Sequence, residues 1–211
     1  MAKKCQRLKR SSSATTPSSS RGLCCTPIWR IQPFLSGSDT RPFAAEIYKS
    51  FLLCAARILK NEGGTITAYD GDRVMAVFIG GSKNTSAARS ALKINWAMQK
   101  IVQPALKKQY PSKNYIPRHV VGIDTSDLYV ARTGVRGDND LVWVGRAANY
   151  AAKLSALSES YRTYATEAAY DNFHKSAKYS KEGDGESMWV KLIWTEFDGS
   201  TIYGSTWRWG V

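Results

Sequence analysis

Gly63-Gly64-Thr65-Ile66-Thr67-Ala68-Tyr69-Asp70-Gly71-Asp72-Arg73-Val74-Met75-Ala76-Val77-Phe78 reads as strand, tight turn, strand. Ile66 and Ala68, then Val74, Ala76 and Phe78, keep the period-2 alternation of half-buried strands. Between them, Asp70-Gly71-Asp72 predicts a two-residue hairpin turn in which Gly71 supplies the positive φ. Two carboxylates at a hairpin tip are a place to hold a divalent cation. By residue type alone they are turn formers first.

Outward from this hairpin the chain alternates helices and strands. Phe43, Ile47, Phe51, Leu52, Ala55, Ile58 and Leu59 form one apolar stripe, with Glu46, Lys49, Arg57 and Lys60 off it. Asp39 or Thr40 is the expected cap of that helix, and Gly63-Gly64 its end. After the hairpin, Asn84 or Thr85 is the expected cap of a second helix that buries Ala88, Ala91, Leu92, Trp96, Met98 and Val102. A strand over 120–124 follows, then a second hairpin from 128–133 and 141–144, and a third helix over 147–157. Strands over 161–166 and 188–194 flank a helical stretch at 168–179. Trp194, Trp207 and Trp209 read as edge packing or a dimer surface rather than as a base-stacking platform.

The 211 residues suit one α/β domain with a sizeable core. The formal charge of +13 is uneven. Lys3, Lys4, Arg7, Lys9, Arg10, Arg21 and Arg30 stand in the first 30 residues without a single Asp or Glu. About half the basic excess is therefore in that segment, and the remaining domain is mildly basic, as suits a nucleoside triphosphate ligand. No base-reading motif accompanies the basic segment, so nucleic-acid binding is not expected. No run of 18 apolar residues exists for a membrane helix, and Ser-rich 11–20 replaces the apolar core of a secretory signal. Residues 1–27 read as disordered, and 28–35 as a strand interrupted by Pro33. Cys5, Cys24, Cys25 and Cys54 have no zinc-site spacing, which points to a reduced, cytoplasmic setting.

A second block runs Val120-Val121-Gly122-Ile123-Asp124-Thr125-Ser126, then Leu141-Val142-Trp143-Val144-Gly145-Arg146-Ala147-Ala148-Asn149-Tyr150-Ala151-Ala152-Lys153-Leu154. The two blocks, in this order and spacing, resemble the class III nucleotidyl cyclases. The match is closest to the pyrimidine cyclases of bacterial antiphage (Pycsar) systems. The resemblance implies an α/β sandwich with a ferredoxin-like βαββαβ core, helices on one face, over 39–211. It implies a homodimer whose sites are completed across the two chains. The expected reaction is UTP to cyclic UMP and pyrophosphate, with CTP to cyclic CMP as the alternative, and the product acting on a separate effector protein. It also implies two divalent cations, Mn2+ or Mg2+, which would polarise the α-phosphate. Asp72 matches a metal carboxylate, with Gly71 beside it letting the triphosphate approach. Asn149 matches the residue that orients the ribose. Lys153 stands where the family usually has a phosphate-binding Arg, so the charge is kept and the bidentate fork is lost.

Two nucleobase-reading positions depart from the purine cyclases: Ala68 replaces a Lys, and Val142 replaces a polar residue three before Gly145. Adenine recognition of the usual kind is thereby excluded, in line with a pyrimidine. A further departure lies upstream. The family carries its first metal carboxylate about 44 residues before the second, in an apolar-x-Asp-Leu strand end. That count from Asp72 reaches Ile28, and no acid precedes Asp39. Residues 1–38 are therefore expected to be disordered or a frame-shifted reading of the gene. If the chain is native as written, a catalytically inactive dimerisation or nucleotide-sensing domain is the alternative.

Overall fold

The computed structural model describes residues 18–29, 40–113, 115–135 and 138–211. In chain order these form β1 (Ser18–Trp29), α1 (Thr40–Asn61), β2 (Thr65–Asp70), β3 (Arg73–Ile79) and α2 (Lys83–Ala97). A π turn, Met98–Val102, leads from α2 into α3 (Gln103–Gln109), and β4 (His119–Val135) and β5 (Asp138–Val144) follow. The chain then runs through α4 (Arg146–Ser155), β6 (Thr163–Thr166), α5 (Glu167–Asp171), α6 (Lys175–Lys178), β7 (Val190–Trp194) and β8 (Ser200–Ser205). One sheet of order β2-β3-β1-β4-β6-β8-β7 holds the strands together, with β5 paired to the far half of β4.

Elements β1 to β4 are the expected βαββαβ unit. Its strands stand in the order β2-β3-β1-β4, each antiparallel to its neighbour. Its two helices share one face. Phe43, Ile47, Phe51, Ala55 and Leu59 of α1 and Ala88, Ala91, Leu92 and Ile94 of α2 pack with Val74, Ala76, Phe78, Val121 and Ile123 of the sheet. The stripe of α1 ends as its glycines demand. Gly63 takes φ 89°, and the Gly64 N–H donates back to the Leu59 carbonyl at 2.8 Å. At Gly64 a Cβ would lie 2.7 Å from the Phe78 ring, so that glycine also admits β3's largest core residue.

Helix α4, outside the βαββαβ unit, packs on the opposite face. Ala147 and Ala151 meet Val77 and Leu128 there, and Leu154 meets Val120, Tyr164 and Trp194. The approach is close at Gly122, where a Cβ would sit 2.0 Å from the Ala151 carbonyl oxygen.

The structure corrects three readings of the sequence. Ser18–Trp29, within the stretch expected to be disordered, is the strand between β3 and β4. A ladder bonds through backbone groups, and a gap there would leave two facing rows of N–H and C=O groups unpaired, so Ser-rich composition does not prevent the pairing. Thr85 does not cap α2; its Oγ1 accepts from the His174 N–H at 2.8 Å, and Ser82 at the N-cap makes no side-chain cap. Strand β8 was not expected, because its Ser- and Gly-bearing sequence shows no apolar alternation. Trp194 is buried against Tyr150 and Phe197, and the partly buried Trp207 and Trp209 pack onto the core of their own chain, in keeping with the edge-packing reading of these residues. Pro33, Asp39 and residues 136–137 lie outside the described residues. No helix is long and apolar enough to cross a membrane, among the described residues.

Candidate functional site

The β2–β3 turn places Gly71 and Asp72 at its tip. Gly71 has φ 57° and open space where a Cβ would stand. A positive φ at the first of two turn residues is the demand of a type II′ hairpin, which glycine meets without strain. Asp70 pairs with Arg73 at 3.1 Å on the surface, so that carboxylate is spent on the turn. Asp72 is half-buried and acts on α1: its charge, after burial, raises the pKa of the Tyr48 phenol. The ladder slips by one residue between Ile66 and Ala68, a bulge at Thr67. The slip breaks the alternation read from the sequence and leaves Ala68 exposed rather than half-buried.

Strand β1 runs past this tip with Ile28 in backbone register with Arg73. The position reached by counting back from Asp72 is thus the strand position beside it, and the residue there is not an acid. Among the described residues, no three His, Cys, Asp or Glu side chains gather where they would share a metal ion. The described residues do not make the two-carboxylate, two-metal site that the resemblance implies.

The other expected residues lie on β5 and α4. Val142 is exposed on β5. Gly145 admits α4 against β4, since a Cβ there would meet the Asp127 carbonyl oxygen at 2.7 Å and Leu128 at 2.8 Å. The first turn of α4 is pinned by Arg146. Its Nη2 donates to Asp124 Oδ1 at 3.2 Å and to the Thr125 carbonyl at 2.8 Å. Asp124 is wholly buried and also accepts from Thr166 Oγ1, while its Oδ2 has no partner. Burial raises its pKa, and the Thr166 hydroxyl and then Arg146 offset part of the rise.

With Ala147, Ala151 and Leu154 turned inward, Asn149 and Lys153 stand one helical turn apart on the exposed side. The Lys153 ammonium rests over the Phe197 ring, 4.1 Å from its centroid. In one chain these two residues and Asp72 do not meet. Asp72 lies beside α1, and Asn149 and Lys153 ride on α4 across the sheet. Sequence reading missed Tyr48, Asp124 and Arg146. For Asp124 a signal was present, an acid closing the apolar run 120–123.

No family model matches the chain. It is 57% identical over 169 residues to a uridylate cyclase of Xanthomonas perforans, covering 80% of this chain and 71% of that protein. It is 56% identical over 169 residues to a uridylate cyclase of Burkholderia cepacia, with the same two coverages. The fold matches a bacterial light-regulated adenylyl cyclase with a TM-score of 0.73 at 16% identity. That match covers 90% of this chain and 53% of the other, so the chain spans about half of that structure. By these relatives the chain belongs to the uridylate cyclase family, and its fold is that of the adenylyl cyclase it matches.

Proposed function

We propose that the chain is a pyrimidine nucleotide cyclase that converts UTP to cyclic UMP and pyrophosphate. The observation that carries this is the disposition of Asp72 at the hairpin tip and of Asn149 and Lys153 across the sheet on α4. A second copy, presenting its α4 to the hairpin of the first, would complete the site, so the working form is a homodimer. In the reaction the ribose 3′-oxygen bonds to the α-phosphorus, the bond from that phosphorus to the pyrophosphate oxygen breaks, and the hydroxyl proton leaves to solvent. Asn149 orients the ribose by hydrogen bonding. Lys153 leaves the Phe197 ring to neutralise phosphate charge as it develops.

The apolar Ala68 and Val142 support a pyrimidine over a purine, with UTP ahead of CTP. A divalent cation, manganese or magnesium, belongs to this reading, although Asp72 is the one carboxylate placed for it among the described residues. Cyclic UMP would act in the cytoplasm as an antiphage second messenger on a separate effector protein. The composition break near residue 40 supports residues 1–38 being a frame-shifted reading. Translating the other two frames tests that: a strand ending in apolar-x-Asp-Leu supports it, and its absence from both sinks it.

A second reading is favoured by Ile28. With no acid in that strand position, the chain is a cyclase-like domain that dimerises or senses nucleotide without turnover. Incubation of the purified chain with each of the four ribonucleoside triphosphates and manganese separates the two. A cyclic product from UTP that is lost in Asp72→Ala supports the enzyme. No cyclic product from any triphosphate rejects it in favour of the second reading.

A further inference from the structure

Helix α4 carries three exposed polar side chains on one strip. At 3.6 residues per turn, Arg146, Asn149 and Lys153 fall within an arc of about 60°. Along the helix axis Asn149 stands roughly 6 Å from Lys153, and Arg146 roughly 4.5 Å further on. A nucleotide is laid out in the same order: phosphates, ribose, base. With the phosphates at Lys153 and the ribose at Asn149, the base falls at the Arg146 end of the strip.

Arg146 is held in place there and keeps donors to offer. Its Nη2 donates to Asp124 Oδ1 and to the Thr125 carbonyl. Its guanidinium carbon lies 5.2 Å from the centre of the Tyr150 ring. Ser126 Oγ accepts from the Ala147 N–H at 2.9 Å, which ties the helix start to the same stretch of β4. These contacts fix where the guanidinium stands without covering it, since the side chain is 45% exposed. An arginine has five N–H donors and no acceptor. Both hydrogen bonds that it makes among the described residues come from Nη2, so Nε and Nη1 keep their protons for a ligand.

A pyrimidine here needs a polar reader, because the side chains of Ala68 and Val142 form no hydrogen bonds. Uracil and cytosine share the 2-carbonyl, which lies beside the sugar. At C4, on the edge remote from the sugar, uracil like thymine presents a carbonyl acceptor, whereas cytosine presents an amine donor. A donor-only guanidinium beyond the ribose suits the carbonyl and opposes the amine.

Given the reading that places the ribose at Asn149 and the phosphates at Lys153, on which this rests, we propose that Arg146 selects UTP over CTP by donating from Nε or Nη1 to the 4-carbonyl of uracil.

Calorimetric titrations of the full chain with UTP and with CTP, magnesium present, read the selectivity as the Kd for CTP over the Kd for UTP. In the native chain that ratio should be about tenfold or more. Arg146→Met should bring it close to unity, chiefly by weakening UTP. Lys153→Gln should weaken both nucleotides alike and keep the ratio. Arg146→Met strips Asp124 of its cation, so Arg146→Met/Asp124→Asn serves as the folded control and should give the same ratio. A native chain without preference, or one that prefers CTP, overturns the proposal. So does a native preference that survives in both Arg146 variants. In either case, nucleotide binding that Lys153→Gln weakens leaves the cyclase reading standing. A chain that binds neither nucleotide overturns both.

Discussion

At His119 the folded chain keeps an imidazole neutral that the unfolded chain protonates below about 6.5. Its folded pKa is depressed, so the unfolded state binds the extra proton between the two values. The stability this contributes is whole above pH 6.5 and is lost as pH falls toward 3. At full expression the loss is on the order of 5 kcal/mol. Asp124 works in the opposite sense. Its folded pKa is raised, so in the folded state the carboxyl stays protonated to higher pH, and stability is gained as pH falls through that raised value. Urea midpoints measured from pH 4 to 7 should therefore fall toward acid in the native chain. The fall should be shallower in His119→Phe and steeper in Asp124→Asn. An unchanged slope in His119→Phe would reject a neutral buried ring. At the hairpin, Asp70→Asn removes only a surface ion pair and should change stability by less than about 1 kcal/mol.

Helix α4 is held by two features that act on the whole element. At Gly122 any side chain meets the Ala151 carbonyl, a backbone atom that cannot swing aside. Gly122→Ala should cost about 3 kcal/mol and carry Asn149 and Lys153 out of place, measured as a lower urea midpoint together with lost cyclic product. At the helix start, Arg146→Met leaves the Asp124 carboxylate buried without its cation. Because Arg146 is about half exposed, the expected cost is only ~1–2 kcal/mol. The double variant Arg146→Met/Asp124→Asn should recover most of it, and a strictly additive double variant would show that the two do not interact. Elements differ in how far they are legible in sequence for the same physical reasons. Helix α1 and strand β3 bury one face each, and their spacing shows it. Strand β1 is fixed by pairing on both edges, which leaves no trace in composition. The bulge at Thr67 is a register event between strands, and the Asp124–Arg146 bond spans 22 residues, so neither has a local pattern to read. The candidate site residues are named one by one from the sequence, but their separation across the sheet is not, because it depends on where α4 returns to the sheet.

That separation makes assembly the question at the scale of the whole molecule. A site built from Asp72 of one copy and Asn149 and Lys153 of another occurs twice in a two-fold pair. The exposed Tyr129, Val142 and Val144 on β4 and β5 give such a pair apolar surface to bury. Asp72→Ala and Asn149→Ala should then each be inactive alone. When the two variants are mixed and allowed to exchange subunits, half the dimers are hybrids. In each hybrid one site receives both intact residues and the other receives neither. Cyclic UMP formation should recover to about a quarter of the native rate. A site contained within a single chain predicts no recovery at any mixing ratio, so the rate of the mixture alone decides between the two arrangements. Repeating the mixture with Lys153→Gln in place of Asn149→Ala should give the same recovery, because both residues travel on α4. Recovery with one and not the other would show that Lys153 serves its own chain.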